Sequence, residues 1–184
     1  MRIIGVDEVG RGCWAGPVVA GAVLLRQPVK GLKDSKKLTR KQREMLATQI
    51  RLHAEIGLGW VMPVELDELG MTEAVRLAMR RALELITVGH DEIIIDGSYN
   101  FFPEHPKARA VIKADDTIPA VSAASIVAKL ARDNYMTEIA GQYPDYGFPS
   151  HVGYGTTLHL ERLRLHGVSD LHRQSFKPVK ALLH

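Results

Sequence analysis

Cys13 is the only cysteine in 184 residues. A lone thiol excludes an internal disulfide and any metal site built from several cysteines. The chain also lacks H-E-x-x-H and G-x-x-x-x-G-K-[ST], which removes the commonest zinc-hydrolase reading and the P-loop reading. No apolar run is long enough to cross a bilayer, and the opening MRIIGVDE meets two acids by its eighth residue. Neither a membrane span nor a secretory signal is therefore expected, and a reducing cytoplasm is the expected location. Net charge is small, with 24 Lys+Arg against 21 Asp+Glu. Its distribution is uneven: nine Lys/Arg fall between Arg26 and Arg51, against only Asp34 and Glu44. A solvated helix face would explain such a run taken alone. In a chain otherwise nearly balanced, it also fits a polyanionic partner.

The length suits one domain with a sizeable core and a small C-terminal part. RIIGV (Arg2 to Val6) reads as a buried strand and GPVVAGAVLL (Gly16 to Leu25) as a second, antiparallel to it across a short glycine turn. Thr39 and Gln42 form the T-x-x-Q of a capping box opening a helix to about His53, with a thin apolar stripe of Met45, Leu46 and Ile50. Glu55 to Val61 reads as a third strand, Met71 to Ile86 as an amphipathic helix and Asp91 to Gly97 as a fourth strand. Ala108 to Asp116 reads as a fifth strand ending in acids, and Pro119 to Ile139 as a long helix rich in small residues. Turns follow from Gly141, then a short helix near Leu158 to His166 and a Pro-containing tail.

Three acids sit at or near the ends of different predicted strands: Asp7, Asp96 and Asp115, with Glu8 beside Asp7. Strand ends in a sheet with a parallel core converge on one edge, where ligands bind. Four carboxylates offer only oxygen donors, which suits Mg²⁺ or Mn²⁺. Without a cation, like charges this close raise one another's pKa. Taken singly, Asp96-Gly97 and Asp115-Asp116 also read as turn starts. Adjacent strand residues point to opposite faces, so Glu8 would have to lie in the turn to join Asp7. Gly10-Arg11-Gly12-Cys13-Trp14-Ala15 satisfies G-x-G-x-x-A, yet a strand and not a helix follows, so a dinucleotide site is not expected. The same glycines let backbone approach a sugar while Arg11 pairs with a phosphate. Acids beside such a turn suggest phosphodiester chemistry. Five of the eight histidines, His105, His151, His159, His166 and His172, are scattered without ligand spacing, and no zinc site is expected. Ser125, Lys129, Arg132 and Asp133 fall at near-helical spacing, where packing and surface pairing are favoured over some of them facing a substrate.

GVDEVGRGCWAGPVVAGAV, LKDSKKL, IIDG, IKADD with AVSAASIVAKLARD, SHVGYGTTLH and HRQSFKPV, in this order, resemble ribonuclease HII from residue 2 to about 179. The resemblance implies an α/β, ribonuclease H-like mixed five-stranded sheet flanked by helices. A catalytic core over residues 1–140 would carry a C-terminal recognition part over residues 141–184. It implies an endonuclease that cuts the RNA strand of RNA–DNA hybrids and incises duplex DNA 5′ of embedded ribonucleotides by two-metal catalysis. Asp7, Glu8, Asp96 and Asp115 correspond to the family's metal-binding acids; the family's Lys, small residue, Asp pattern favours Asp115 over the adjacent Asp116. Gly10, Arg11 and Gly12 match the motif that reads the ribose 2′-hydroxyl. Tyr154 matches the tyrosine that packs on the following deoxyribose. Ser35, Lys36 and Lys37 fall where family members contact backbone phosphates. Partners would be hybrids and ribonucleotide-containing DNA, with no membrane and no obligate protein partner, and the chain would act as a monomer. A junction resolvase with similar acids would lack the Gly-Arg-Gly and Tyr154 pair. A binding module that had lost catalysis would not keep all four acids.

Overall fold

The computed structural model describes residues 1–33 and 35–183, so Asp34 of the DSKKL segment lies outside the described residues. The apolar run at the start forms β1 (Ile3–Val9), and β2 (Val18–Leu25) returns antiparallel to it. A short 3-10 turn, Ser35–Lys37, precedes α1 (Arg40–His53), whose Thr39 and Gln42 make both bonds of the expected capping box. β3 (Ala54–Val61), α2 (Pro63–Leu69), α3 (Met71–Glu84) and β4 (Glu92–Asp96) follow. The fifth strand stops earlier than its sequence suggests. β5 is Ala108–Val111, and the acids after it belong to a one-turn helix, α4 (Ala114–Thr117). The long helix α5 (Pro119–Ile139) is as expected, and α6 (Phe148–His151), α7 (Thr157–His166) and α8 (Lys177–Lys180) complete the chain.

The sheet order is β3-β2-β1-β4-β5, antiparallel across β3-β2-β1 and parallel across β1-β4-β5. Val6 pairs with Ile95, so Asp7 and Asp96 leave the same edge of two neighbouring parallel strands. Alternation divides the side chains between two layers. Ile4, Val6, Ala20, Ala22, Ile93 and Ile95 pack with Ala74, Val75, Ala78, Met79 and Ala82 of α3 on one face. Ile94 packs with Val121 on the other face, where Val23 meets Ala123 and Ala124 of α5. Each fully buried Ile or Val contributes roughly 1.5–3 kcal/mol. Gly5 is required here, because a side chain at that position would run into the α5 backbone at Ala120 and Val121. That close approach sets α5 directly beneath Asp7. The C-terminal part shares a separate cluster with the core, joining Ala15 and Met136 to Tyr146, Phe148, Leu163, Leu171 and Val179.

Candidate active site

Asp7 is near the C-terminal end of β1 on the α5 face, and its carboxylate is buried. It accepts a hydrogen bond from the Glu8 backbone N–H (2.8 Å), and the Ser125 hydroxyl on α5 favours its ionised form. Asp96 ends β4 and acts as a local organiser: its Oδ1 accepts the N–H groups of Ala114 (2.8 Å) and Asp115 (3.3 Å), the first residues of α4. The Ser122 hydroxyl donates to the Asp115 carbonyl (2.5 Å), tying α4 to α5. The residue before α4, Lys113, has φ +56°, a left-handed conformation that costs a lysine energy and turns the chain so that Asp115 faces the strand ends. Donor oxygens of Asp7, Asp96 and Asp115 lie within 4.8 Å of one another. Burial first, then the Glu8 carboxylate, push Asp7 well above the ordinary carboxylate range.

Glu8 does not meet the condition for joining Asp7 on one face, which was to lie in the turn. It is a strand residue, paired with Ala20, and alternation sends it to the α3 side. Its carboxylate is not among the three clustered ones; Oε1 accepts from Arg11 Nη1 at 3.1 Å. Burial raises its pKa first, the Arg11 hydrogen bond and charge lower it, and Asp96 adds a rise, which places it within electrostatic reach of the cluster.

The donor set fits a hard divalent cation. It has three convergent carboxylates, no sulfur or imidazole, and crowding that penalises ionised Asp7 until a cation neutralises it.

Gly10, Arg11 and Gly12 form the turn after β1. Gly10 has φ +94°, and any side chain there would meet the Arg132 guanidinium and the Pro17 carbonyl. Two fully buried arginines, neither singled out by sequence as part of a site, hold this turn. Arg132 donates to the carbonyls of Pro17 (2.9 Å), Ala15 (3.0 Å) and Val152 (2.8 Å), and Arg173 to those of Gly16 (3.0 Å) and Arg11 (3.1 Å). Arginine is rarely buried, so composition and spacing alone favour a surface role. Spacing alone favours packing for Ser125 too, although hydroxyls on the buried face of an alanine-rich helix need partners.

Tyr154 lies beside the glycine turn. Its backbone bridges Cys13, and the N–H groups of Trp14 (2.8 Å) and Ala15 (3.3 Å) donate to the Gly153 carbonyl. The ring is 38% exposed, with Lys129 Nζ 5.3 Å and Arg132 Cζ 5.8 Å from its centroid. Burial, helped by Cys13, pushes its hydroxyl up to about 12, so it stays protonated. Val152, two residues earlier, has φ +44°, unusual for a β-branched residue.

The lysine segment also reaches the site. Lys37 Nζ pairs with both carboxylate oxygens of Asp116 (2.6 and 2.8 Å), next to Asp115. Lys36 is exposed. Ser35 is buried, its hydroxyl 2.9 Å from that of Ser125, and so it reaches the cluster through Ser125.

A family model described as ribonuclease HII matches residues 4–179 of this sequence. The chain belongs to the ribonuclease HII family. It is 50% identical to the ribonuclease HII of Janthinobacterium sp. (strain Marseille), over 98% of this chain and 87% of that one. The crystal structure of ribonuclease H2 from Pyrococcus horikoshii OT3 superposes with a TM-score of 0.83 at 27% identity, covering 99% of this chain and 97% of that one. The ribonuclease HII of Archaeoglobus fulgidus, solved in complex with PCNA, gives 0.77 at 27% identity, with 96% of each chain covered. The mixed five-stranded sheet flanked by helices is the ribonuclease H-like fold of these structures. Ribonuclease HII membership makes this protein a divalent-metal-dependent nuclease, a hydrolase of the RNA strand in RNA–DNA hybrids. No helix among the described residues is long and apolar enough to cross a membrane.

Proposed function

We propose that this protein also incises duplex DNA 5′ of embedded ribonucleotides, using two Mg²⁺ or Mn²⁺ ions and leaving 5′-phosphate and 3′-hydroxyl ends. The observation that carries the reading is the 3.1 Å ion pair between Glu8 and Arg11, which joins the acids to the glycine turn. Asp7, Asp96 and Asp115 would hold the metal from the α5 face, with Glu8 reaching it from the other side of β1. When bound, such ions supply Lewis-acid activation of water and neutralise charge at the leaving oxygen.

The chain's own residues divide the remaining work. Ser125 and the Glu8 N–H orient the Asp7 carboxylate. Backbone groups of Gly10, Arg11 and Gly12 accept and donate to the ribose 2′-hydroxyl, and the Arg11 guanidinium can pair with a phosphate. The exposed face of Tyr154 packs on the deoxyribose that follows the ribonucleotide. Lys36 and Lys37 contact backbone phosphates, with Ser35 supporting them from beneath, and such contacts position a duplex without reading its sequence. In this reading residues 1–140 form the catalytic core and residues 141–184 the recognition part. The protein acts as a monomer on nucleic acid in the cytoplasm, clearing ribonucleotides left in DNA.

The test offers a DNA duplex with one ribonucleotide, an all-DNA duplex and a four-way junction, each with Mg²⁺ or Mn²⁺. Cutting only at the 5′ side of the ribonucleotide is expected. Binding without cutting, junction cleavage, or wild-type rates from Asp7→Asn or Glu8→Gln protein would overturn the proposal.

A further inference from the structure

The histidines that look scattered in the sequence are not scattered in space. His151, His159 and His172 are all buried, with the rings of His151 and His159 stacked 4.4 Å apart and those of His159 and His172 at 5.2 Å. Their hydrogen bonds fix every tautomer. His159 Nδ1 lies 2.9 Å from the Tyr154 carbonyl, which can only accept, so Nδ1 carries the proton and Nε2 is a bare acceptor. His172 Nε2 lies 3.0 Å from His159 Nε2 and must therefore donate. That leaves His172 Nδ1 as an acceptor, and it receives the Ser169 N–H (3.1 Å) and the Ser169 hydroxyl (2.7 Å). His151 is fixed in the same way: Nδ1 accepts from the Gly153 N–H (3.2 Å) and Nε2 donates to the Tyr146 carbonyl (2.9 Å). All six ring nitrogens are used, so the cluster has no lone pair left for a metal.

We infer that Ser169, His172 and His159 form a directional hydrogen-bond chain whose role is to position Tyr154, and that His172 and His159 are positioning residues for junction recognition. The chain ends on the backbone carbonyl of Tyr154, and His151 holds the N–H of the preceding residue. Between them they grip the loop that follows Val152 in its left-handed conformation. Burial pushes His159 down to about 4 and His172 to about 3, so both are neutral near pH 7, as the bonding pattern requires. A proton added to His172 Nδ1 would face the Ser169 N–H, and one added to His159 Nε2 would face the His172 N–H.

The inference rests on Tyr154 acting as the reader of the deoxyribose, and the experiment separates the two ideas. The measured quantity is kcat/KM on a single-ribonucleotide DNA duplex divided by that on a long RNA–DNA hybrid, with Mg²⁺. A fault in folding lowers both values together, whereas a misplaced Tyr154 lowers the ratio. His172→Gln keeps a donor at the Nε2 position and so keeps the bond to His159. His172→Asn keeps only the acceptor for Ser169. His172→Asn is expected to lower the ratio roughly tenfold, as displacement of a substrate-contacting group by a fraction of an ångström does, and His172→Gln to restore most of it. Tyr154→Ala is the control. If Tyr154→Ala moves the ratio and His172→Asn does not, or if Asn restores it better than Gln, the chain is not the positioning device. If Tyr154→Ala leaves the ratio unchanged, the junction reading fails and the inference with it. Nitrogen-15 spectra of the wild-type imidazoles give an independent check, with Nδ1–H expected for His159 and Nε2–H for His151 and His172. The opposite tautomer at His159 or His172 would overturn the chain whatever Tyr154 does.

Discussion

Removing one hydroxyl, by Ser125→Ala, tests how the lysine segment and the acid cluster are joined. In the wild-type protein that hydroxyl favours ionised Asp7 and shares a 2.9 Å hydrogen bond with Ser35, and both serines are buried. A hydrogen bond to an ionised group is worth about 1.5–3 kcal/mol, and a buried hydroxyl left without a partner costs about 1–3 kcal/mol. Two effects should follow. Asp7 loses a bond that favours its ionised, metal-binding form, so the Mg²⁺ concentration for half-maximal activity should rise roughly ten- to a hundredfold. The second effect is on stability, because the buried Ser35 hydroxyl is left without its Ser125 partner. Ser35→Ala in the Ser125→Ala background should then cost less than Ser35→Ala alone, with a coupling of about 1 kcal/mol in a double-mutant cycle. The assays are Mg²⁺ titration of hybrid cleavage and denaturant unfolding of the four proteins in the cycle. Superimposable Mg²⁺ curves would refute the influence of Ser125 on Asp7, and strictly additive stabilities would refute its coupling to Ser35.

The raised pKa of Asp7 has a definite sign. The folded protein holds that proton more tightly than the unfolded chain, so without metal its contribution disfavours folding as pH rises through 3.8 toward the raised folded value. In chelator, Asp7→Asn protein should therefore be more stable than wild type at neutral pH, with the gap closing in acid; Mg²⁺ should stabilise the wild type far more, as thermal melts would report. Arg132→Met leaves three buried carbonyls without their donor, at a cost of roughly 3 kcal/mol or more. For a chain of this size the melting temperature should fall by roughly 6–12 °C, and an unchanged melt would show that the arginine is dispensable. Substrate affinity should fall steeply with salt, and Lys36→Ala should reduce the slope of log affinity against log salt by about 1 if that side chain meets a phosphate.

The sequence and the structure agree where physics is local. Apolar runs gave β1 and β2, the Thr39-x-x-Gln42 box gave α1, and Pro119 at the first turn gave the start of α5. They part where a distant contact or an unusual backbone angle decides. VIKADD looks like a continuing strand because Val111 and Ile112 are β-branched, but the left-handed Lys113 and the Asp96 carboxylate capping the next turn convert its acids into α4. The short α2 was missed because Pro63, its first residue, reads equally as a loop, and Gly70 separates it from α3. Acid identities were legible because carboxylates at strand ends have a chemical signature. The roles of Ser125 beside Asp7 and of the buried arginines behind the glycine turn were not, since their partners lie up to 162 positions away. Glu8 shows the limit of motif reading: the residue is named by its neighbours, while alternation along β1 decides which way it points.

β1 does not stop at Asp7. It runs through Glu8 and Val9 straight into Gly10, with no loop between. Extended backbone advances about 3.3 Å per residue, so roughly 10 Å separates the residue placed at the cleavage chemistry from the one placed against the sugar. That interval works as a ruler cut into the polypeptide. Inserting or deleting a single residue within it would turn the residues that follow by half a period relative to Asp7, whose own face is fixed by the pairing of Val6 with Ile95. It would also move the sugar test by a fixed step relative to the scissile bond. Under the proposed function, the cutting position and the discrimination would therefore be inherited together as one unit of length, which substitutions can weaken but only a change in chain length can reset.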